Sequence, residues 1–216
     1  MGKLEEYLKA KEEYVKMAEE FQKGKNFKTL NIEATNLKDC YILTPKRFGD
    51  QRGFFEQVDI EPLQELGFKD FKKLNRSKSV KGTVRGLHFQ KNPYAQTKVV
   101  SCMNGAVLDV VVDIRKDSET YGNWTSVELT PENGRALYVP RGYAHGFVAL
   151  KDDTLFEYLV DNVYNKESEA GIIWNDPDVD IDWQFEKYGI EKPILSEKDQ
   201  LHLTLKDSPD YFKEVL

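Results

Sequence analysis

The chain has 216 residues, of which 40% are hydrophobic, 12% aromatic and 31% charged, and 31 Lys and Arg against 37 Asp and Glu leave a net charge of −6. This is core material for one globular domain, and it excludes a disordered, collagen-like or disulfide-scaffold chain. The acidic balance argues against nucleic acid as a partner. Three histidines (His88, His145, His202) and two cysteines (Cys40, Cys102) are little raw material for a multi-ligand metal cluster or a disulfide framework.

The first 25 residues are dense in Lys and Glu where a signal peptide would need an apolar segment, and no run approaches the roughly 20 apolar residues of a membrane span. The expectation is a cytoplasmic protein with reduced thiols and no membrane partner. Leu4, Tyr7, Leu8, Val15, Ala18 and Phe21 recur at spacings of three and four, which predicts an amphipathic helix over residues 4–22, ended near Gly24. Such a stripe packs on its own domain or against a partner.

From residue 26 the texture changes to short runs rich in Val, Ile, Phe, Tyr and Leu, separated by Gly, Asn, Asp and Pro. Strands are predicted at 40–43, 54–59, 98–103, 106–114, 125–129, 136–139, 146–150 and 154–160, with a helical turn at 62–66. Many short strands with turn signals argue for a β-sandwich or barrel. The chain divides into a helical extension (1–25), a β domain (26–190) and a tail (191–216). In the run from Ala106 to Arg115, Leu108, Val110, Val112 and Ile114 form one apolar face, whereas Val107, Asp109, Val111 and Asp113 form the other. Aspartates beside valines suit a polar cavity inside a barrel.

Chemistry-bearing residues concentrate in two segments. In Arg85-Gly-Leu-His88-Phe-Gln90, strand alternation places Gly86, His88 and Gln90 on one face and Arg85 and Leu87 on the other. A histidine there serves as a hydrogen-bonded structural residue or as a base. Pro140-Arg-Gly-Tyr-Ala-His145-Gly is a turn that delivers a histidine to the start of an apolar strand, and it resembles the second motif of the cupin superfamily. Metal-binding cupins carry two alternate histidines in their first motif; here His88 is followed by Gln90, so the barrel is read as metal-free.

Taken in order, Phe48-Gly-Asp-Gln-Arg52-Gly-Phe-Phe, Ser77-Lys-Ser, Val84-Arg-Gly-Leu-His-Phe-Gln90, Lys98-Val-Val, Val111-Val-Asp-Ile-Arg115, Pro140 to Phe147, Trp174-Asn-Asp and Leu195-Ser-Glu-Lys-Asp199 resemble the dTDP-4-dehydrorhamnose 3,5-epimerase family. The resemblance spans roughly residues 37–204. It implies a mainly β, cupin-type jelly-roll (double-stranded β-helix) barrel, to which the N-terminal helix is an addition. The implied reaction is 3,5-epimerisation of a nucleotide-linked 4-keto-6-deoxy sugar by proton abstraction α to the ketone, without metal or redox cofactor. By motif position, His88 is the base, Asp199 its carboxylate partner, Lys98 the stabiliser of the C4 enolate and Tyr158 the acid.

The same resemblance implies that Arg52, Gln57, Asn75, Arg85, His145, Tyr164 and Glu169 bind the sugar nucleotide, with Asp109 and Asp113 behind them, and that the tail supplies Asp199. It further implies a homodimer in which an N-terminal segment reaches the partner's site, an expectation carried over to Arg52 and Asn75. Gln57 and Lys73-Leu74-Asn75 replace a Glu and a Gln-Asp-Asn common in the family, so the nucleotide stays open. The alternatives are a C3-only epimerase or ketoisomerase on a GDP- or heptose-linked sugar, a metal-dependent cupin enzyme, and a sugar-nucleotide binder without activity.

Overall fold

Apolar runs four to seven residues long are too short for helices that bury a face, and here they pair as strands. The computed structural model of the protein describes residues 29–212 and the two-residue strand Lys25–Asn26; the helix expected over 4–22 lies outside the described residues. The described strands are β1 (Lys25–Asn26), β2 (Leu30–Ala34), β3 (Tyr41–Pro45), β4 (Arg47–Asp50), β5 (Gly53–Glu56), β6 (Lys73–Ser79), β7 (Val84–Gln90), β8 (Lys98–Asn104), β9 (Val107–Asp113), β10 (Trp124–Leu129), β11 (Ala136–Val139), β12 (Tyr143–Ala149), β13 (Thr154–Val160) and β14 (Glu169–Gly171). One short helix, α1 (Ile60–Glu65), follows β5.

All pairings between these strands are antiparallel. One sheet runs β1-β2-β3-β11-β8-β13-β6, the other β10-β9-β12-β7-β14, and β4 and β5 form a separate hairpin. The non-sequential neighbours are those of a jelly roll, the cupin-type barrel that the motifs implied. Between the sheets lie Val100, Cys102, Val107, Val111, Leu137, Phe147 and Phe156.

Neither sheet is left bare outside. Leu108, Val110, Val112 and Ile114 of β9 and its continuation pack under Trp183, Ile190 and Leu205, so residues beyond β14 cover the five-stranded sheet. On the seven-stranded sheet, Leu30, Leu43, Val99 and Tyr138 meet Leu63 of α1 and Phe68. Double-sided burial explains why β9 is buried at every position and holds two aspartates at no exposure. Each such Val or Leu contributes about 1.5–3 kcal/mol by leaving water, which sets the walls rigidly around whatever lies inside.

The structure revises three expectations. β12 begins at Tyr143, so His145 sits within a strand rather than in the turn before it. β5 ends at Glu56, which leaves Gln57 outside the ladder. Between Arg85 and His88 the alternation of β7 slips by one residue: Gly86 has φ of 130°, and the β12–β7 register shifts between His145 and Phe147. Arg85 and His88 therefore face the same cavity, while Leu87 joins the core beneath the tail.

Candidate active site

A cavity of ≈ 440 Å³ opens between the two sheets. The five-stranded sheet contributes His88 and Gln90 from β7 and His145 from β12; the seven-stranded sheet contributes Lys98 from β8 and Phe156 and Tyr158 from β13. Ser196, Lys198 and Asp199 enter from the tail. Strand pairing fixes the relative heights, since His145 lies opposite His88, Glu169 opposite Gln90 and Tyr158 opposite Asn75.

The carboxylate of Asp199 accepts a hydrogen bond from Nε2 of His88 at 2.6 Å. Burial works to raise the Asp199 pKa, but the bond and charge of His88, with the Gly86 amide and Ser196, outweigh it and hold the carboxyl below its usual range. An ionised partner on Nε2 keeps that nitrogen protonated, so the free lone pair of a neutral His88 is on Nδ1. Asp199 is buried and His88 half-buried, which gives a rigid anchor and an accessible ring.

A second histidine–carboxylate pair lies deeper. His145 Nε2 is 2.9 and 3.1 Å from the two oxygens of Asp109, and both residues are buried. Desolvation lowers the His145 pKa and raises that of Asp109, each pushed toward its neutral form against their mutual attraction. Lys98 donates to the backbone carbonyl of His88 at 3.2 Å, and burial pushes its pKa down to about 8 despite the charges of Asp109 and Glu169. Tyr158 faces the cavity from the opposite wall to His88, its pKa raised by burial, so its hydroxyl keeps its proton at neutral pH.

The mouth is polar. Glu169 accepts from Tyr164 Oη at 2.9 Å and from Lys198 Nζ at 2.5 Å, and although burial would raise its pKa, these bonds bring it below the ordinary value. Arg85 is exposed there and donates to Ser79 Oγ at 3.1 Å and to the Lys78 carbonyl at 3.3 Å. Gln90 accepts from the Asn165 amide at 2.9 Å, which pins the loop bearing Tyr164. The two thiols do no such work: both are buried, and burial pushes Cys40 up to about 12 and Cys102 to about 11.

Of the residues singled out by sequence, His88, Lys98, Tyr158, Asp199, Arg85, His145, Tyr164 and Glu169 line this one cavity, and Asp109 supports it through His145. Asn75 neighbours Tyr158 on β6 but is not among the lining residues. Asp113 belongs elsewhere: at the far end of β9 it accepts from Arg115, Ser118 and Thr120. Arg52 and Gln57 are not brought to the cavity either. Arg52 is at the tip of the β4–β5 hairpin, exposed and paired with Asp50 at 2.6 Å. The basic lining expected from Arg52, Arg85 and Lys98 is thus made by Arg85, Lys98 and Lys198 within one chain. Lys198, Gln96 and Ser77 also line the cavity; Ser77 and Lys198 stand in the quoted motifs, which gave them no role, and Gln96 stands in none.

Proton donors and acceptors on facing walls of a cupin-type jelly roll form a site equipped to move protons, as an epimerase requires. The comparisons narrow this. The model of the family described as dTDP-4-dehydrorhamnose 3,5-epimerase matches residues 34–207. A dTDP-4-dehydrorhamnose 3,5-epimerase of Shigella flexneri is 46% identical over 173 residues, 79% of this chain and 93% of that one. The crystal structure of the enzyme of that name from Elizabethkingia anophelis is 47% identical, with a TM-score of 0.77 over 83% of this chain and 98% of that one. The dTDP-6-deoxy-D-glucose-3,5-epimerase of Legionella pneumophila, solved with dTDP-4-keto-L-rhamnose, is 39% identical, with a TM-score of 0.78 over 83% and 95% of the two chains. The chain belongs to the dTDP-4-dehydrorhamnose 3,5-epimerase family.

Proposed function

We propose that this protein converts dTDP-4-dehydro-6-deoxy-D-glucose to dTDP-4-dehydro-L-rhamnose by proton transfer at C3 and C5, with His88 as base, Lys98 stabilising the C4 oxyanion and Tyr158 as acid. The observation that carries this reading is the placement of His88, backed by Asp199, and Tyr158 on opposite walls of one cavity. Each hydrogen to be moved lies α to the C4 ketone. His88 Nδ1 takes the proton from carbon as the C–H electrons pass into an enolate, and Asp199 stabilises the imidazolium that forms. Lys98 stabilises the oxygen on which negative charge develops; its buried ammonium interacts strongly because little water screens it. Protonation of the same carbon from the Tyr158 side, as the enolate electrons return to carbon, inverts the centre. No electron is gained or lost overall.

Arg85 and Lys198 suit the diphosphate and Tyr164 a face of the base, with Glu169 holding both Tyr164 and Lys198 at the rim. His145, kept neutral by burial and tied to Asp109, is a hydrogen-bonding group for the sugar. Arg52, Gln57 and Asn75 act in a homodimer, where the β4–β5 hairpin of one protomer closes the cavity of the other. What supports this is the hairpin itself, whose Phe48, Phe54 and Phe55 are each more than half exposed.

Turnover in D₂O tests the reaction. The product should carry deuterium at both C3 and C5 when read by NMR; label at C3 alone would assign the protein to C3-only epimerisation and reject the proposal.

A further inference from the structure

His202 was left without a role by the motifs, yet it stands beside the catalytic pair. Its ring packs edge-on against His88 with centroids 5.7 Å apart, and its Nε2 is 3.9 Å from Asp199 Oδ1. Space for it exists because residue 171, opposite His88 in the β14–β7 register, is Gly: a Cβ there would stand 2.6 Å from that Nε2. His202 Nε2 is buried and has no hydrogen-bond partner. A buried polar nitrogen without a partner is destabilising, and a bound ligand removes that cost.

We propose that His88, Asp199 and His202 form a site for one divalent cation of the zinc class, and that occupancy of this site and proton abstraction by His88 exclude one another. One ligating atom from each residue lies within 4.8 Å of the other two. Two imidazoles and a carboxylate, with water in the fourth position, are a donor set suited to zinc. Ligands each about 2 Å from a tetrahedral ion stand about 3.3 Å apart, so the 2.6 Å between His88 Nε2 and Asp199 Oδ1 must widen and the 3.9 Å between Asp199 Oδ1 and His202 Nε2 must close, with the two imidazoles drawn together from within 4.8 Å.

The exclusion follows from one proton. Zinc takes the Nε2 lone pair of His88, so the proton that Nε2 donates to Asp199 must move to Nδ1, and no proton is lost overall. Nδ1 then has no lone pair with which to take hydrogen from the sugar. This consequence rests on the proposed role of His88; the binding itself does not.

Calorimetric titration of the full-length protein with zinc chloride should give one zinc per chain, with affinity at least about 10-fold weaker in His202→Ala and in Asp199→Asn. Because the chain has three histidines, imidazole NMR of the unaltered protein locates the ion even where a variant fails to fold: the signals of His88 and His202 should move and that of His145 should not. No binding, equal affinity in His202→Ala, or a shift confined to His145 would overturn the site. Turnover should be lost in proportion to zinc occupancy and return on chelation. Zinc bound at His88 and His202 with turnover intact would overturn the exclusion alone, and metal-free kinetics of His88→Ala tests the role of His88 separately.

Discussion

The Asp199 carboxylate lies 2.6 Å from His88 Nε2 although 111 residues separate them in the chain. The pair exists because the segment after β14 first covers the outer face of the five-stranded sheet, through Trp183 and Ile190, and then turns back over its end. A 3₁₀ turn at Lys198–Gln200 presents the carboxylate, and the isolated bridge between Thr83 and Ile194 fixes the tail beside β7. His88 is thus held by packing on the far side of the sheet that carries it.

Asp199→Asn keeps the shape of the side chain and removes its charge. The kcat should fall by about 10² to 10³, with little change in KM, because the lost interaction is with the imidazolium formed during proton transfer. Steady-state kinetics decides this; unchanged kcat would remove Asp199 from the mechanism.

Lys98 supplies a pH dependence. Burial brings its pKa down to about 8, so kcat should fall as pH rises through 8, where the ammonium proposed to stabilise the enolate is lost. Its own effect on stability has the opposite sign: between about 8 and the ordinary lysine value the unfolded chain binds more protons than the folded one, so this group makes folding more favourable as pH rises. Loss of activity above pH 8 without a fall in melting temperature is the expected result. Lys98→Arg, which stays charged, should move the alkaline limb beyond pH 10.

Gly86 tests the slip in β7. A Cβ at residue 86 would lie 2.6 Å from Gly146 Cα and 2.9 Å from the His145 carbonyl oxygen, both backbone atoms, at a φ that side chains rarely adopt. Gly86→Ala should cost on the order of 3 kcal/mol, lowering the melting temperature by roughly 10 °C for a chain of this size. The pairing of His88 with His145 should loosen with it, so kcat should drop as well.

The exposed hairpin calls for mixing. Arg52→Ala and His88→Ala chains are each expected to be nearly inactive alone. Coexpressed, about half the dimers are mixed, and each mixed dimer has one complete site if Arg52 acts across the interface, giving about a quarter of the unaltered activity. No recovery would place Arg52 in its own chain's site, and full activity of Arg52→Ala alone would place it outside the mechanism.

Much of this was legible in the sequence, and the residues show why. β11 and β13 coincide with their predicted limits, because both are apolar runs closed by turn residues. β6 was not predicted: Lys73-Leu74-Asn75-Arg76-Ser77-Lys78-Ser79 is polar and mostly exposed, a sheet-edge strand held by pairing to β13. Alternation failed at Gly86, where a slip of one residue reverses faces; the glycine inside the strand was the one signal of it. Motif order singled out Asp199, but spacing could not have brought it to His88; that required the tail to cross a sheet. His202 had no motif, and its nearness to the pair comes from the same tail and from the absence of a side chain at Gly171.

The most direct test of the central claim, that His88 takes both protons, is the rate of solvent deuterium entry at C3 and C5 in His88→Asn, followed by NMR with dTDP-4-dehydro-6-deoxy-D-glucose. Both exchange rates should fall together, by about 10² to 10⁴, while Tyr158→Phe retains exchange at C3 better than inversion at C5. Exchange at the unaltered rate at either carbon in His88→Asn would contradict the assignment.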